Sequence, residues 1–122
     1  MTSDDANKKF LKELKSGTVS LVLLGILNGT DEPMYGYQIT KGIDSGLLDI
    51  KQGALYPVLR SLERSGLLSS AIEPSSAGPP RRYYRITEAG RETLASWRSA
   101  WKRTTRLVDS VLKGKIDVEE NR

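Results

Sequence analysis

No stretch constrains this chain more than Thr18–Leu27. Val19, Leu21, Val22, Leu23, Leu24, Ile26 and Leu27 leave almost no polar face. A helix that is apolar all round cannot lie on a surface and has to be surrounded. The rest of the chain must wrap it, so a mainly helical domain with this segment as its central post is expected. Ser16 or Thr18 can cap its start. Asn28-Gly29-Thr30-Asp31-Glu32-Pro33 then breaks it into a loop.

Two further helices supply the wrapping. One is predicted from about Tyr35 to Ser45, with Ile39 and Ile43 at i, i+4 facing inward beside Met34. Tyr37, Gln38 and Lys41 face out, and Gly46 stops it. The next is predicted from about Gln52 to Ser65. Leu55, Val58, Leu59 and Leu62 fall at i, i+3, i+4 and i+7, the stripe of a helix with one buried face. Its other face carries Gln52, Tyr56, Arg60 and Arg64, and Gly66 is its stop. Such donors and guanidinium groups suit base edges and phosphates, and equally suit an ordinary solvated face. Pro57 is a local objection, because inside a helix it removes a backbone donor.

The apolar period then changes. Leu67–Glu73 reads as a strand with Leu68 and Ile72 on one face, and Arg81–Thr87 as a second. In the latter, Tyr84 and Ile86 alternate with Tyr83 and Arg85, the period of two of a half-buried strand. Between them, Pro74-Ser-Ser-Ala-Gly-Pro-Pro80 is a loop by composition. Three helices followed by a hairpin is the order of a winged helix-turn-helix rather than a plain three-helix bundle. The fold class expected is mainly α (α+β), with a two-stranded wing. Arg81 and Arg82 beside the wing loop can reach phosphates or the minor groove, or can simply guard a strand edge.

Thr87 can cap a last helix running to about Lys113, with Gly114 as its stop. Leu94, Trp97, Trp101, Thr104, Val108 and Val111 recur at alternating steps of three and four, a heptad seam with one polar member. At 1.5 Å per residue the helix is about 40 Å long, more than the body can cover. Two tryptophans on an uncovered stripe mark an interface, so a homodimer through this helix is expected. A short amphipathic segment, Lys8–Lys15, would pack across it with Phe10 and Leu14. The resulting division is 1–15 as an arm on the dimer interface, with residues 1–7 frayed, 16–87 as the DNA-binding domain, 88–114 as the dimerisation helix and 115–122 as a disordered tail.

Composition narrows the chemistry. The chain has no His and no Cys, which removes the commonest general base, the commonest metal ligands and all thiol chemistry. Catalytic, metal and cofactor sites are therefore not expected. No apolar run reaches the roughly 20 residues of a membrane span, and the polar, partly acidic start does not read as a signal peptide. A cytoplasmic location is expected. The net charge of +4 is compatible with a polyanion partner.

Three segments in order resemble the PadR family of bacterial transcriptional regulators over about Lys15 to Gly114. They are Tyr35-Gly36-Tyr37-Gln38-Ile39; Gly53-Ala-Leu55-Tyr56-Pro57 with Leu59, Leu62, Glu63 and Gly66-Leu67; and Arg81-Arg82-Tyr83-Tyr84-Arg85-Ile86-Thr87-Glu88-Ala89-Gly90. The resemblance implies a homodimer that binds a palindromic double-stranded DNA operator and usually represses. By position it implies DNA contacts from Gln52, Gly53, Tyr56 and Arg60, phosphate contacts near Tyr37 and Lys41, and wing contacts from Arg81 and Arg82. A Tyr-Pro pair inside the recognition helix is usual in that family, which answers the objection over Pro57. Pro80 departs from the family, where another basic residue is common, so fewer wing contacts are implied. In some members an aromatic pore at the dimer interface binds planar drugs or phenolic effectors. Trp101 matches a pore tryptophan and Trp97 lies one turn before it; the other reading makes both plain dimer core. The competing function is a winged-helix protein-interaction module without sequence-specific DNA binding.

Overall fold

A computed structural model of the chain describes residues 2–43 and 50–115. The elements are α1 (Ser3–Asn28), β1 (Met34–Tyr35), α2 (Gly36–Ile43), α3 (Gln52–Arg64), β2 (Leu68–Ser75), β3 (Gly78–Ile86) and α4 (Glu88–Leu112). The predicted stop at Gly46, the side chain of Gln52 and the tail from Ile116 lie outside the described residues.

The second half of α1 is the post. Leu23, Leu24 and Leu27 are fully buried, and they share one core with Ile39 and Ile43 of α2, Leu55, Leu59 and Leu62 of α3, and Tyr84 and Ile86 of β3. Each such apolar side chain stabilises by roughly 1.5–3 kcal/mol relative to exposure. Val19, Val22 and Ile26 pack at its margin. Burial is not all round as expected, since Gly25 is exposed and Leu21 is half-buried facing α4.

α1 corrects two expectations. The chain does not break between Lys15 and Thr18: one helix runs through Ser16-Gly17-Thr18. The Thr18 hydroxyl donates to the Leu14 carbonyl at 2.8 Å instead of capping a new helix. A Ser-Gly-Thr cluster is a cap signal only where the chain can turn, and here the apolar stripe continues on both sides. Nor are residues 2–7 frayed. Thr2 is the N-cap of α1 and forms a capping box with Asp5, its Oγ1 accepting from the Asp5 amide at 3.1 Å.

The wing is part of a three-stranded antiparallel sheet, ordered β1-β3-β2, rather than a two-stranded ribbon. The added strand pairs Met34 with Tyr84 and Tyr35 with Tyr83. Two residues are too few to show a period. The β2–β3 register runs from Leu68↔Ile86 to Ser75↔Gly78, so most of the Pro74–Pro80 loop is strand and the turn is confined to its centre. Leu68 is buried, but Ile72 is exposed although it shares Leu68's face. The hairpin projects past the body there, and periodicity alone cannot show where a sheet outruns its core.

α3 and α4 meet the hairpin at one knot. α3 closes in a Schellman motif: Gly66, at φ 79°, donates to Glu63 O (2.9 Å) and Leu67 donates to Leu62 O (3.0 Å). Thr87 then ties three segments together. Its amide donates to Leu67 O at 3.1 Å and its hydroxyl to Gly66 O at 2.7 Å. The same hydroxyl oxygen caps α4 by accepting from the Gly90 amide at 3.0 Å. Gly90 sits so close that a β-carbon there would collide with the Leu67 carbonyl oxygen and approach Ile86 Cγ1 to 2.7 Å. Gly90→Ala is therefore expected to lower stability by about 1–3 kcal/mol, despite alanine's better helix propensity. Urea unfolding checks this; a variant as stable as the parent would contradict the packing described.

Candidate nucleic-acid interface

The outward face of α3 lies between α2 and the wing. Two concavities open there, and Tyr56 and Arg82 line both. One, of about 460 Å³, is lined by Tyr56, Arg60, Glu63, Arg64, Arg82 and Tyr84. The other, of about 430 Å³, is lined by Tyr35, Tyr37, Tyr56, Pro80, Arg81 and Arg82. The fold thus brings Tyr37, Tyr56, Arg60, Arg81 and Arg82, which are far apart in sequence, onto one continuous surface.

Each member is held differently. Arg60 and Arg82 are exposed. Arg81 is half-buried, with its guanidinium carbon 4.3 Å from the centre of the Tyr35 ring, which also meets Tyr83 edge-on at 5.4 Å. This cation–π contact straps the wing to β1. Lys41 lies over the Tyr37 ring at 5.2 Å, so these two residues act as a pair at the edge of α2. Tyr56 is half-buried and packs against the core. A β-carbon at Gly36 would lie 2.5 Å from its hydroxyl oxygen, so the start of α2 is seated on this ring. Gly53 is exposed in the first turn of α3, where a β-carbon would meet nothing.

Two contributors lie outside the DNA contacts that the resemblance implies. Arg64 reads as a surface residue near the end of its helix, yet it lines the same concavity as Arg60 and Arg82. Its spacing of four from Arg60 was the available signal. Tyr35 looked like part of a helix; it is a strand residue and the platform for Arg81.

Tyr84 forms the floor and is fully buried. Burial pushes its phenol above the ordinary value of 10.0; Glu63 adds to the rise, and Arg82 and Arg60 oppose it. A second site lies apart from this face. Glu13, Leu14, Gly17, Leu21, Trp97, Trp101 and Thr104 help to line a groove of about 490 Å³ between α1 and α4. Leu94 and Trp97 pack partly against the chain's own core. Phe10, Trp101, Val108 and Val111 remain exposed, joined by Leu107 and Leu112.

Comparison with known proteins decides the family. A model of the transcriptional regulator PadR-like family matches residues 23–96. The chain belongs to the PadR-like family of transcriptional regulators. A transcriptional regulator of Mycobacterium tuberculosis is 33% identical over 98 residues, spanning 80% of this chain and 89% of that protein. A PadR-family regulator structure from Eggerthella lenta superposes with a TM-score of 0.78 at 33% identity, covering 89% of this chain and 94% of that one. A PadR-like regulator from Bacillus cereus gives 0.69 at 28% identity, covering 82% and 96%. The winged-helix fold and a role in transcription regulation follow, and the family is one of regulators, not enzymes. Among the described residues no helix is long and apolar enough to cross a membrane.

The buried tyrosine gives this PadR-family chain a pH signature. With the folded pKa raised, both states keep the phenol protonated below about pH 10, and Tyr84 adds no pH dependence there. As pH rises past 10.0 the unfolded chain releases its proton first, and stability falls until the folded pKa is reached. Tyr84→Phe should remove this loss. The stability difference between wild type and variant, from denaturant unfolding, is expected to be constant from about pH 7 to about pH 9. Above that range it should move in the variant's favour; parallel curves throughout would contradict the assignment.

Proposed function

We propose that the chain is a repressor that binds a palindromic DNA operator as a homodimer. The observation that carries this reading is the convergence of Arg60, Arg64, Arg81 and Arg82 around the exposed face of α3. In this arrangement α3 enters the major groove, with Gln52, Gly53, Tyr56 and Arg60 toward base edges. Tyr37 and Lys41 on one side, and the wing arginines on the other, grip phosphates. The half-buried setting of Tyr56 and the strap on Arg81 give both a positioning share in this work. Arg60 is then the chief reader of bases and Arg82 the wing's chief phosphate contact.

Two copies are proposed to pair through α4, with the first half of α1 laid across the seam. Trp101 (42% exposed), Val108 (47%) and Val111 (48%) along α4, with Phe10 (58%) on α1, leave large apolar side chains in water in one copy. Leu107 and Leu112 flank the predicted heptad positions and widen the stripe toward the end of α4, where no body lies beneath it. The α1–α4 groove is the candidate effector site, where a planar aromatic molecule would stack on Trp97 and Trp101 and release the operator. The absence of cysteine suits a reducing cytoplasm.

Selection from random duplexes is expected to enrich an inverted repeat. A selection that enriches none would favour a protein-interaction module instead. On the selected duplex, Arg60→Ala should cost about 1–3 kcal/mol and relax specificity at one position per half-site; unchanged affinity would remove α3 from the reading role. Light scattering at micromolar concentration should give twice the chain's 13.5 kDa, and Val111→Asp should shift it toward one copy. A wild-type monomer would sink the pairing.

A further inference from the structure

Among the described residues that line the basic concavity, Glu63 alone is acidic. A carboxylate on a surface that meets phosphates repels them, so its presence there costs affinity unless it does something else. The structure shows what it holds. Glu63 Oε2 accepts a hydrogen bond from the Ser70 hydroxyl at 2.7 Å. The Ser70 oxygen in turn accepts from Arg82 Nη1 at 2.9 Å. A serine hydroxyl has a single proton to donate. Here it goes to the carboxylate, which turns the oxygen's lone pairs toward the guanidinium. The chain of donors therefore runs one way, from Arg82 to Ser70 to Glu63, with a cation at one end and an anion at the other. Charge at both ends strengthens each bond and polarises the hydroxyl between them.

The register explains how these residues meet. Ser70 pairs with Tyr84 and Ile72 with Arg82, so Arg82 is the diagonal neighbour of Ser70 on one face of the hairpin. Glu63 reaches that face from the last turn of α3. No direct ion pair joins Glu63 and Arg82 among the described residues; the Ser70 hydroxyl links them. Arg82 shares its concavity with Arg60 and Arg64, whose like charges push it outward. An exposed arginine under that push would sample many rotamers, and ordering it would weigh against DNA binding. The Ser70 bond uses one of five guanidinium N–H groups and leaves others for a phosphate.

We propose that Glu63 and Ser70 are positioning residues that hold Arg82 ready for the operator backbone and lock the wing to the recognition helix. This rests on the DNA-binding reading above. The relay explains why a negative charge is kept on a basic face: its local bond outweighs its long-range repulsion of DNA.

The test is affinity for the selected duplex, measured by fluorescence anisotropy in wild-type and Arg82→Ala backgrounds. Ser70→Ala leaves the net charge unchanged, so bulk electrostatics predicts no effect. The relay predicts roughly three- to tenfold weaker binding in the wild-type background, and a change within about twofold when Arg82 is already gone. Ser70→Thr keeps the hydroxyl and should retain wild-type affinity. Glu63→Gln is the sharper variant, because removing a negative charge should tighten DNA binding if charge alone matters. The relay predicts weaker binding in the wild-type background and tighter binding with Arg82→Ala. Equal effects in the two backgrounds, for either variant, would overturn the proposal. A second readout needs no DNA: the Arg82 Nε–H group should be rigid on the ps–ns scale by 15N relaxation in wild type and mobile in Ser70→Ala. Arg82 equally mobile in both would also overturn it. If the wild-type chain shows no sequence preference but Arg82 loses order in Ser70→Ala, the DNA-binding reading fails and the relay's role on DNA with it. If the wild type binds selectively and the two backgrounds respond alike, only the relay fails.

Discussion

Everything on the proposed DNA face depends on the contact between Thr87, the turn at Gly66-Leu67 and Gly90. Two hydrogen bonds donated and one accepted by Thr87, and a glycine pressed against a carbonyl, bring three elements to one point. They are the end of α3, the end of the wing and the start of α4. The consequence is mechanical. α4 cannot tilt without moving the end of α3, and the wing shares the same anchor. The knot joins the start of α4 directly to the end of α3 and to the end of the wing. In the proposed dimer, an effector that changed how the two α4 helices cross would change the separation of the two α3 helices through it.

The basic groups on that face are not equivalent, and burial sorts them. Arg81 is strapped over Tyr35 and Lys41 is paired with Tyr37, so part of their capacity goes to holding the wing and α2 in place. Arg60, at mid-helix, and Arg82, on the projecting strand, are exposed, and Arg82 is held by its hydrogen bond to the Ser70 hydroxyl. Tyr56 seats α2 on α3 through its contact at Gly36. A surface built this way presents a few cations at fixed spacing rather than a diffuse positive field. A net charge of only +4 is then compatible with selective binding.

Much of this was legible in the residues. The stripe of Leu55, Leu59 and Leu62, the stop at Gly66 and the cap at Thr87 place α3 and α4 within a residue of where they lie. The reason is that caps and apolar period act locally. One feature that escaped is local: α1 runs unbroken through Ser16-Gly17-Thr18, with the Thr18 hydroxyl bonded back to Leu14 O rather than used as a cap. What else escaped had a tertiary cause. β1 exists only because β3 offers it an edge. The exposure of Ile72 reflects where the body ends. The Glu63–Ser70–Arg82 chain joins positions seven and twelve residues apart and needs the β2–β3 register to be known before it can be seen.

The central claim is that one face, built by α2, α3 and the wing, meets DNA in two copies set by α4. Hydroxyl-radical footprinting on the selected duplex tests it most directly. The account predicts two protected patches on the same side of the helix, related by the twofold of the repeat and roughly 34–36 Å apart, one helical turn. Flanking protection of the backbone should mark the wings. A single protected patch, or protection that follows no fixed spacing, would contradict it.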